Sequence, residues 1–116
     1  MLNVGTEFRK GIFFVRLKGH LNKDTVYKLN KKVTKIVKEN GIRNIVFNFE
    51  NLKSIDLKGI NSIFYNYELT KQNEGFSMFC GNNDNIRNKL KKTRLVNYIY
   101  EIKDELSAIK ILSLRW

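Results

Sequence analysis

The segment Ser54-Ile55-Asp56-Leu57-Lys58-Gly59-Ile60-Asn61 joins a strand-like run to a helix-like run. A carboxylate at the cap followed three residues later by glycine makes an exposed helix start, where free amides and the helix dipole favour anions or partner contact. An N-cap acid is also worth about 1 kcal/mol with no function at all. A glycine inside a helix costs about as much relative to alanine, so Gly59 implies that a neighbour approaches closely. What the segment lacks is a hydroxyl between acid and glycine: those positions hold Leu57 and Lys58.

Other reactive groups form no constellation. His20 is the single histidine and Cys80 the single cysteine, which excludes an internal disulfide and disfavours a clustered zinc site. No cofactor or metal is expected. Gly5, Gly11 and Gly19 are too widely spaced for a phosphate-binding loop. His20 has no Ser or Cys nucleophile with an acidic orienter at a recognisable spacing, so it reads as a loop residue without a catalytic role. Cys80 ends an apolar run and reads as a buried small hydrophobe. An enzyme is the least favoured class.

The formal charge is +11, from 22 Lys plus Arg against 11 Asp plus Glu. Such an excess suits an acidic partner or an anionic surface. It equally suits a sequence in which Lys, Asn and Ile are all abundant, and in that case it says nothing of partners. Lys28, Lys31, Lys32, Lys35 and Lys38 form a lysine face without interleaved arginine or stacking aromatics, so nucleic acid is disfavoured. No apolar run reaches the roughly 18 residues of a membrane span, and Met1 to Gly11 lacks the regions of a signal peptide. The expectation is one cytoplasmic domain over 1–116.

The elements that must position the segment follow from periodicity. Asn3–Arg9 and Ile12–Leu17, joined at Lys10-Gly11, read as a hairpin. Gly19-His20-Leu21-Asn22 breaks the strand, and Asn22 or Asp24 caps a helix from Asp24 to Asn40 with Val26, Leu29, Val33, Ile36 and Val37 at helical spacing. Ile42–Phe49 is a central strand. Asp56 caps the next helix, with Ile60, Ile63, Phe64 and Tyr67 on its apolar positions, ending at Asn73-Glu74-Gly75. Phe76–Cys80 is a strand, and Gly81-Asn82-Asn83-Asp84 caps a short helix through Ile86 and Leu90. Tyr98–Tyr100 is a last short strand, and Glu105–Leu114 closes as a helix with Leu106, Ile109 and Leu112 facing in. The order β, β, α, β, α, β, α, β, α predicts an α/β fold, a mixed β-sheet of about five strands packed against about four helices. Val26, Val33, Ile36, Ile45, Phe47 and Ile63 are the expected core.

With these elements placed, the chain resembles the STAS domains of the anti-sigma factor antagonist type over about Asn3 to Leu112. The resemblance rests on Val15-Arg16-Leu17-Lys18-Gly19-His20-Leu21-Asn22, on Ile45-Val46-Phe47-Asn48-Phe49 and on Ile55-Asp56-Leu57-Lys58-Gly59-Ile60. It implies that Asp56 and Gly59 stand at the family's acidic cap and glycine, Asn22 at its turn aspartate, and Leu57 at the serine that a cognate kinase phosphorylates. Lys58 stands at the second serine. Residue 57 is therefore not phosphorylatable; Ser54 and Ser62 are nearby hydroxyls, and either would substitute only if the kinase surface were shifted.

The function that the resemblance implies is a protein-interaction module. It binds an anti-sigma factor kinase or another regulatory partner without the serine switch, through Asn22, Asp56, Leu57, Lys58, Gly59 and Asn61. The alternative is a STAS-type accessory subunit at an anionic membrane surface or a lipid-transport assembly. A component of a larger multi-STAS scaffold is a third. Two orientations of Leu57 stay open: outward toward a partner, or folded in at the first turn. The turns Gly19–Asn22, Asp56–Gly59 and Gly81–Asp84 all follow strands and are expected to cluster at one end of the sheet.

Overall fold

A computed structural model describes residues 1–113. Two antiparallel strands open it, β1 (Leu2–Arg9) and β2 (Ile12–Leu21), turning at Lys10-Gly11, where both residues take positive φ. Then come α1 (Val26–Leu29), a π-helical turn at Asn30–Thr34 and α2 (Lys35–Asn40), one continuous helical path. β3 (Asn44–Ile55), α3 (Leu57–Gln72), β4 (Phe76–Cys80) and α4 (Asp84–Lys91) follow. A 3-10 turn at Arg94–Asn97, β5 (Tyr100–Glu101) and α5 (Glu105–Ser113) complete the described chain. The sheet order is β1-β2-β3-β4-β5, with β1 antiparallel and every other pair parallel. This is the expected mixed five-stranded α/β fold.

Sequential parallel strands in one direction, joined by crossovers of the usual right hand, put every crossover helix on the same face. The core has that asymmetry. Phe13, Val15, Ile45, Phe47 and Phe79 point from the sheet into one cluster with Leu29, Val33, Val37, Ile63 and Ile86 of the helices. The intervening residues Ile12, Phe14, Val46, Met78 and Cys80 point the other way, onto Ala108 and Leu112 of α5. Alternation along doubly covered strands therefore reads as a continuous apolar run. Within the core, burial pushes the Cys80 thiol up to about 12, which keeps it protonated, so it acts as the small hydrophobe expected.

Several boundaries differ from those expected. β2 is not broken at Gly19; it continues to Leu21, because Gly19 adopts φ +107 and a Cβ there would lie 2.2 Å from Met1 O. Where β2 continues, β3 has a partner beyond Phe49 and runs to Ile55, with register shifts between Arg16 and Lys18 and between Gly19 and His20. These bulges bury Leu52 and Ile55 out of simple alternation. The first helix starts at Val26 rather than Asp24, after Thr25, whose side chain makes no cap bond. Val26 and Ile36 are only partly buried against the core. The last strand is Tyr100–Glu101, since Arg94–Asn97 has wound into a 3-10 turn. In α5, Leu106 is exposed and Ala108 faces in; Leu114 lies outside the described residues. Among those residues no helix is long and apolar enough to cross a membrane.

Beside α5 the sheet face is polar, and one ion group ties the two together. Arg16 donates to Glu105 through Nε (2.9 Å) and Nη2 (2.7 Å) and to Glu7 through Nη2 (2.8 Å), while Asn48 Nδ2 donates to Glu105 (3.0 Å). The hydrogen bonds from Arg16 hold the Glu105 carboxyl below its ordinary value of 4.5, against the opposing effect of burial. A carboxyl lowered in the folded state stabilises it above the unfolded value, and the contribution is lost as pH falls from about 4.5 through the lower folded value. Glu105→Gln is accordingly expected to cost about 1 kcal/mol at pH 7, with the gap to wild type closing at acid pH. Urea unfolding of both proteins from pH 7 to pH 3 checks this.

Candidate functional site

The carboxyl ends of β2 and β3 lie side by side, with Leu21 opposite Ile55, so the loop into α1 and the start of α3 are neighbours. Asp56 links them. With extended backbone (φ −107, ψ −176) it sits at the N-cap of α3, and its Oδ1 accepts from the Gly59 amide (2.9 Å). Its Oδ2 accepts from the Lys23 amide (2.9 Å), and its own amide donates to Leu21 O (3.1 Å). The expected cap is present, and the second oxygen does something the sequence did not announce: it fixes the opposite loop.

Gly59 explains how the two segments fit so closely. A Cβ at this position would fall 2.8 Å from both Leu21 Cγ and Leu21 O and 2.9 Å from Ile55 Cγ1. Those contacts are with backbone and packed core, so the helix would have to lift away. Gly59 is buried and lies beneath the surface that Leu57 and Lys58 present.

Leu57 points outward, 66% exposed, which settles its orientation against inward folding. Lys58 and Asn61 are also exposed. Asn22 is half-buried and shapes its own loop: Oδ1 accepts from the Asp24 amide (2.9 Å), and its carbonyl accepts from the amides of Thr25 and Val26. It thus serves the helix start, though not as a side-chain cap. Thr25 Oγ1 donates to His20 O (2.7 Å) and accepts from the Asn22 amide (3.0 Å), closing the loop from below.

The nearby hydroxyls are both engaged. Ser54 Oγ is half-buried and shares a 2.6 Å hydrogen bond with His20 Nδ1, pinning the ends of β3 and β2 together. Ser62 is buried and donates to Asn30 Oδ1 (2.8 Å) in the π-turn of the first helical path. Modification of Ser62 would break that bond.

Of the three turns expected to converge, two meet. The third is stepped back, because Cys80 of β4 aligns with Asn48 and β3 runs on for about 20 Å at the usual strand rise. Asn83 holds that turn to the middle of β3, donating to Phe49 O (2.7 Å) and Leu52 O (2.8 Å). In its place the 3-10 turn after α4 comes beside α3. Leu57, Ile60, Phe64, Arg94, Leu95 and Tyr98 line a groove of about 350 Å³. It continues into an aromatic group, with ring centroids 5.7 Å apart for Phe64–Tyr67 and for Phe64–Tyr98 and 5.3 Å apart for Tyr67–Tyr98. Sequence reasoning missed this groove. Phe64 and Tyr67 read as core and Tyr98 as strand, whereas Phe64 and Tyr67 are only partly buried and Tyr98 lies outside β5 and is 41% exposed.

The family model for the STAS domain matches residues 3–109, and the chain belongs to that family. It is 24% identical over 108 residues to an anti-sigma F factor antagonist of Paenibacillus polymyxa, covering 93% of this chain and 92% of that protein. An anti-sigma factor antagonist from Mycobacterium paratuberculosis superposes with a TM-score of 0.79 at 17% identity, over 95% of each chain. The phosphorylated form of the Bacillus cell fate determinant SpoIIAA superposes with a TM-score of 0.75 at 18% identity, over 95% of this chain and 99% of that one. The two superpositions agree on the fold.

Asp56→Ala removes the cap and the loop anchor together and is expected to cost about 2 kcal/mol in urea unfolding. Amide exchange of Lys23 and Gly59 should accelerate together, whereas a cap acting alone would release only Gly59.

Proposed function

We propose that this STAS domain is an anti-sigma factor antagonist-like interaction module that binds a regulatory protein, such as an anti-sigma kinase, through the start of α3. On this reading Leu57, Lys58, Asn61 and Asn22 meet the partner, while Asp56 and Gly59 hold them in place. The observation that carries the reading is the outward Leu57 at the mouth of an apolar groove, on a helix start stitched to its neighbouring loop.

A leucine there supports binding that phosphate does not gate. Phosphate at a helix start adds roughly −1.5 to −2 charge and three acceptor oxygens. Leu57 has no atom to accept it. Burying the same side chain against a partner contributes about 1.5 to 3 kcal/mol, roughly ten- to hundredfold in affinity. Lys58 and Arg94, both exposed beside the groove, add positive charge suited to an acidic rim on the partner.

Leu57→Glu is expected to weaken partner binding by about tenfold or more without unfolding the domain, because the first turn of a helix tolerates an acid. Tyr98→Ala should weaken it as well by opening the groove, and Lys58→Glu should alter association rate and salt dependence more than dissociation. Surface plasmon resonance with the partner, alongside circular dichroism of each variant, checks all three. If Lys31→Glu with Lys35→Glu abolishes binding to the partner while Leu57→Glu leaves it intact, the reading at Leu57 fails; if the same lysine pair is needed for binding to anionic vesicles, an anionic-surface role replaces it.

A further inference from the structure

β1 is an edge of the sheet, and one hydrogen bond reveals which of its backbone groups face outward. His20 N donates to Met1 O (2.9 Å). Bonded and non-bonded pairs alternate in an antiparallel ladder, so with Leu2 opposite Gly19 and Asn3 opposite Lys18, Asn3, Gly5, Glu7 and Arg9 turn their amides and carbonyls to β2. Leu2, Val4, Thr6 and Phe8 turn theirs away from the sheet. Lys28 Nζ satisfies the first of these, donating to Leu2 O (3.2 Å). Among the described residues no group of the chain bonds to the outward amides and carbonyls of Val4, Thr6 and Phe8.

An open edge of this length is a template for another strand. Its surroundings specify the chemistry of that strand. Leu2, Val4, Tyr27, Lys28, Lys31 and Lys32 line a groove of about 380 Å³ between β1 and the first helical path. The groove has an apolar floor and a lysine wall. Tyr27 is 60% exposed above it, and Lys31 and Lys32 are exposed as well. The acid on β1 does not offset them: Glu7 is paired with Arg16 on the face opposite these lysines.

We propose that the outer edge of β1 takes up an extended acidic segment of a partner protein as an added strand. Its backbone pairs with Val4, Thr6 and Phe8, and its carboxylates face Lys31 and Lys32. A second copy of this chain fits less well, because joining two β1 edges would bring two sets of lysines together on chains that each carry +11. The surface shares no residue with the groove at Leu57, so the inference stands apart from the function proposed above.

The probe is an acetylated eight-residue peptide of alternating Glu and Val, titrated into the ¹⁵N-labelled full chain at low salt. The expected result is a shift of the Val4, Thr6 and Phe8 amide signals. Affinity should fall about tenfold with Lys31→Glu plus Lys32→Glu and stay unchanged with Leu57→Glu. A matching peptide of alternating Lys and Val should not bind, nor should the Glu-Val peptide N-methylated at every amide, which keeps its charge but cannot donate to a strand edge. Equal binding of the Lys-Val peptide overturns the charge argument, and equal binding of the N-methylated peptide overturns strand pairing. A dimer in sedimentation whose Val4, Thr6 and Phe8 amides are protected from exchange, and which the acidic peptide fails to dissociate, makes a second copy the occupant and overturns the proposal.

Discussion

The Asp56 carboxylate accepts one backbone amide from its own helix and one from the loop after β2, and the geometry of the site depends on that pair of bonds. With one oxygen bonded to Gly59 and the other to Lys23, the carboxylate positions both segments. Gly59 permits the arrangement by letting α3 begin in contact with Leu21 and Ile55. With both constraints in place, residues 57 and 58 form the exposed tip of the helix.

That tip sits on an asymmetric scaffold. The helices of the parallel crossovers share one face of the sheet and α5 covers the other, so α3 has a helical path on one flank and the 3-10 turn after α4 on the other. Ser62, Asn66, Asn30 and Thr34 join α3 to the π-turn by side-chain hydrogen bonds, which specify its alignment more than apolar packing alone does. On the opposite flank the packing is looser and aromatic, leaving the groove that opens at Leu57. On the function proposed, the fixed helix start and the apolar groove beside it dock a protein surface, and Leu57 offers no atom at residue 57 to accept phosphate.

Much of this was legible in the sequence because it is local. The cap at Asp56, the close approach at Gly59, the helical and strand periodicities and the buried Cys80 depend on residues a few positions apart. What escaped depends on partners far along the chain. β3 extends past Phe49 only because β2 continues through a glycine with positive φ, and nothing within Glu50–Ile55 announces that pairing. The orientation of Leu57 was open because a first-turn residue can face either way until its neighbours are known. Phe64, Tyr67 and Tyr98 have the composition of core, and their half-exposed groove arises only where the 3-10 turn meets α3. The turn at Gly81–Asp84 follows a strand as the others do, yet the unequal lengths of β3 and β4 set it back from the site.

The central claim is that partner binding at this helix start is independent of phosphate. The most direct test measures the affinity of the wild-type chain and of Leu57→Ser for the partner kinase, each with ATP and with a non-hydrolysable analogue, followed by mass spectrometry of the products. The account predicts that the wild type binds equally under both conditions and carries no phosphate, while Leu57→Ser acquires phosphate with ATP and loses affinity. Loss of wild-type binding in ATP, with phosphate on Ser54 or any other residue of the chain, would contradict it.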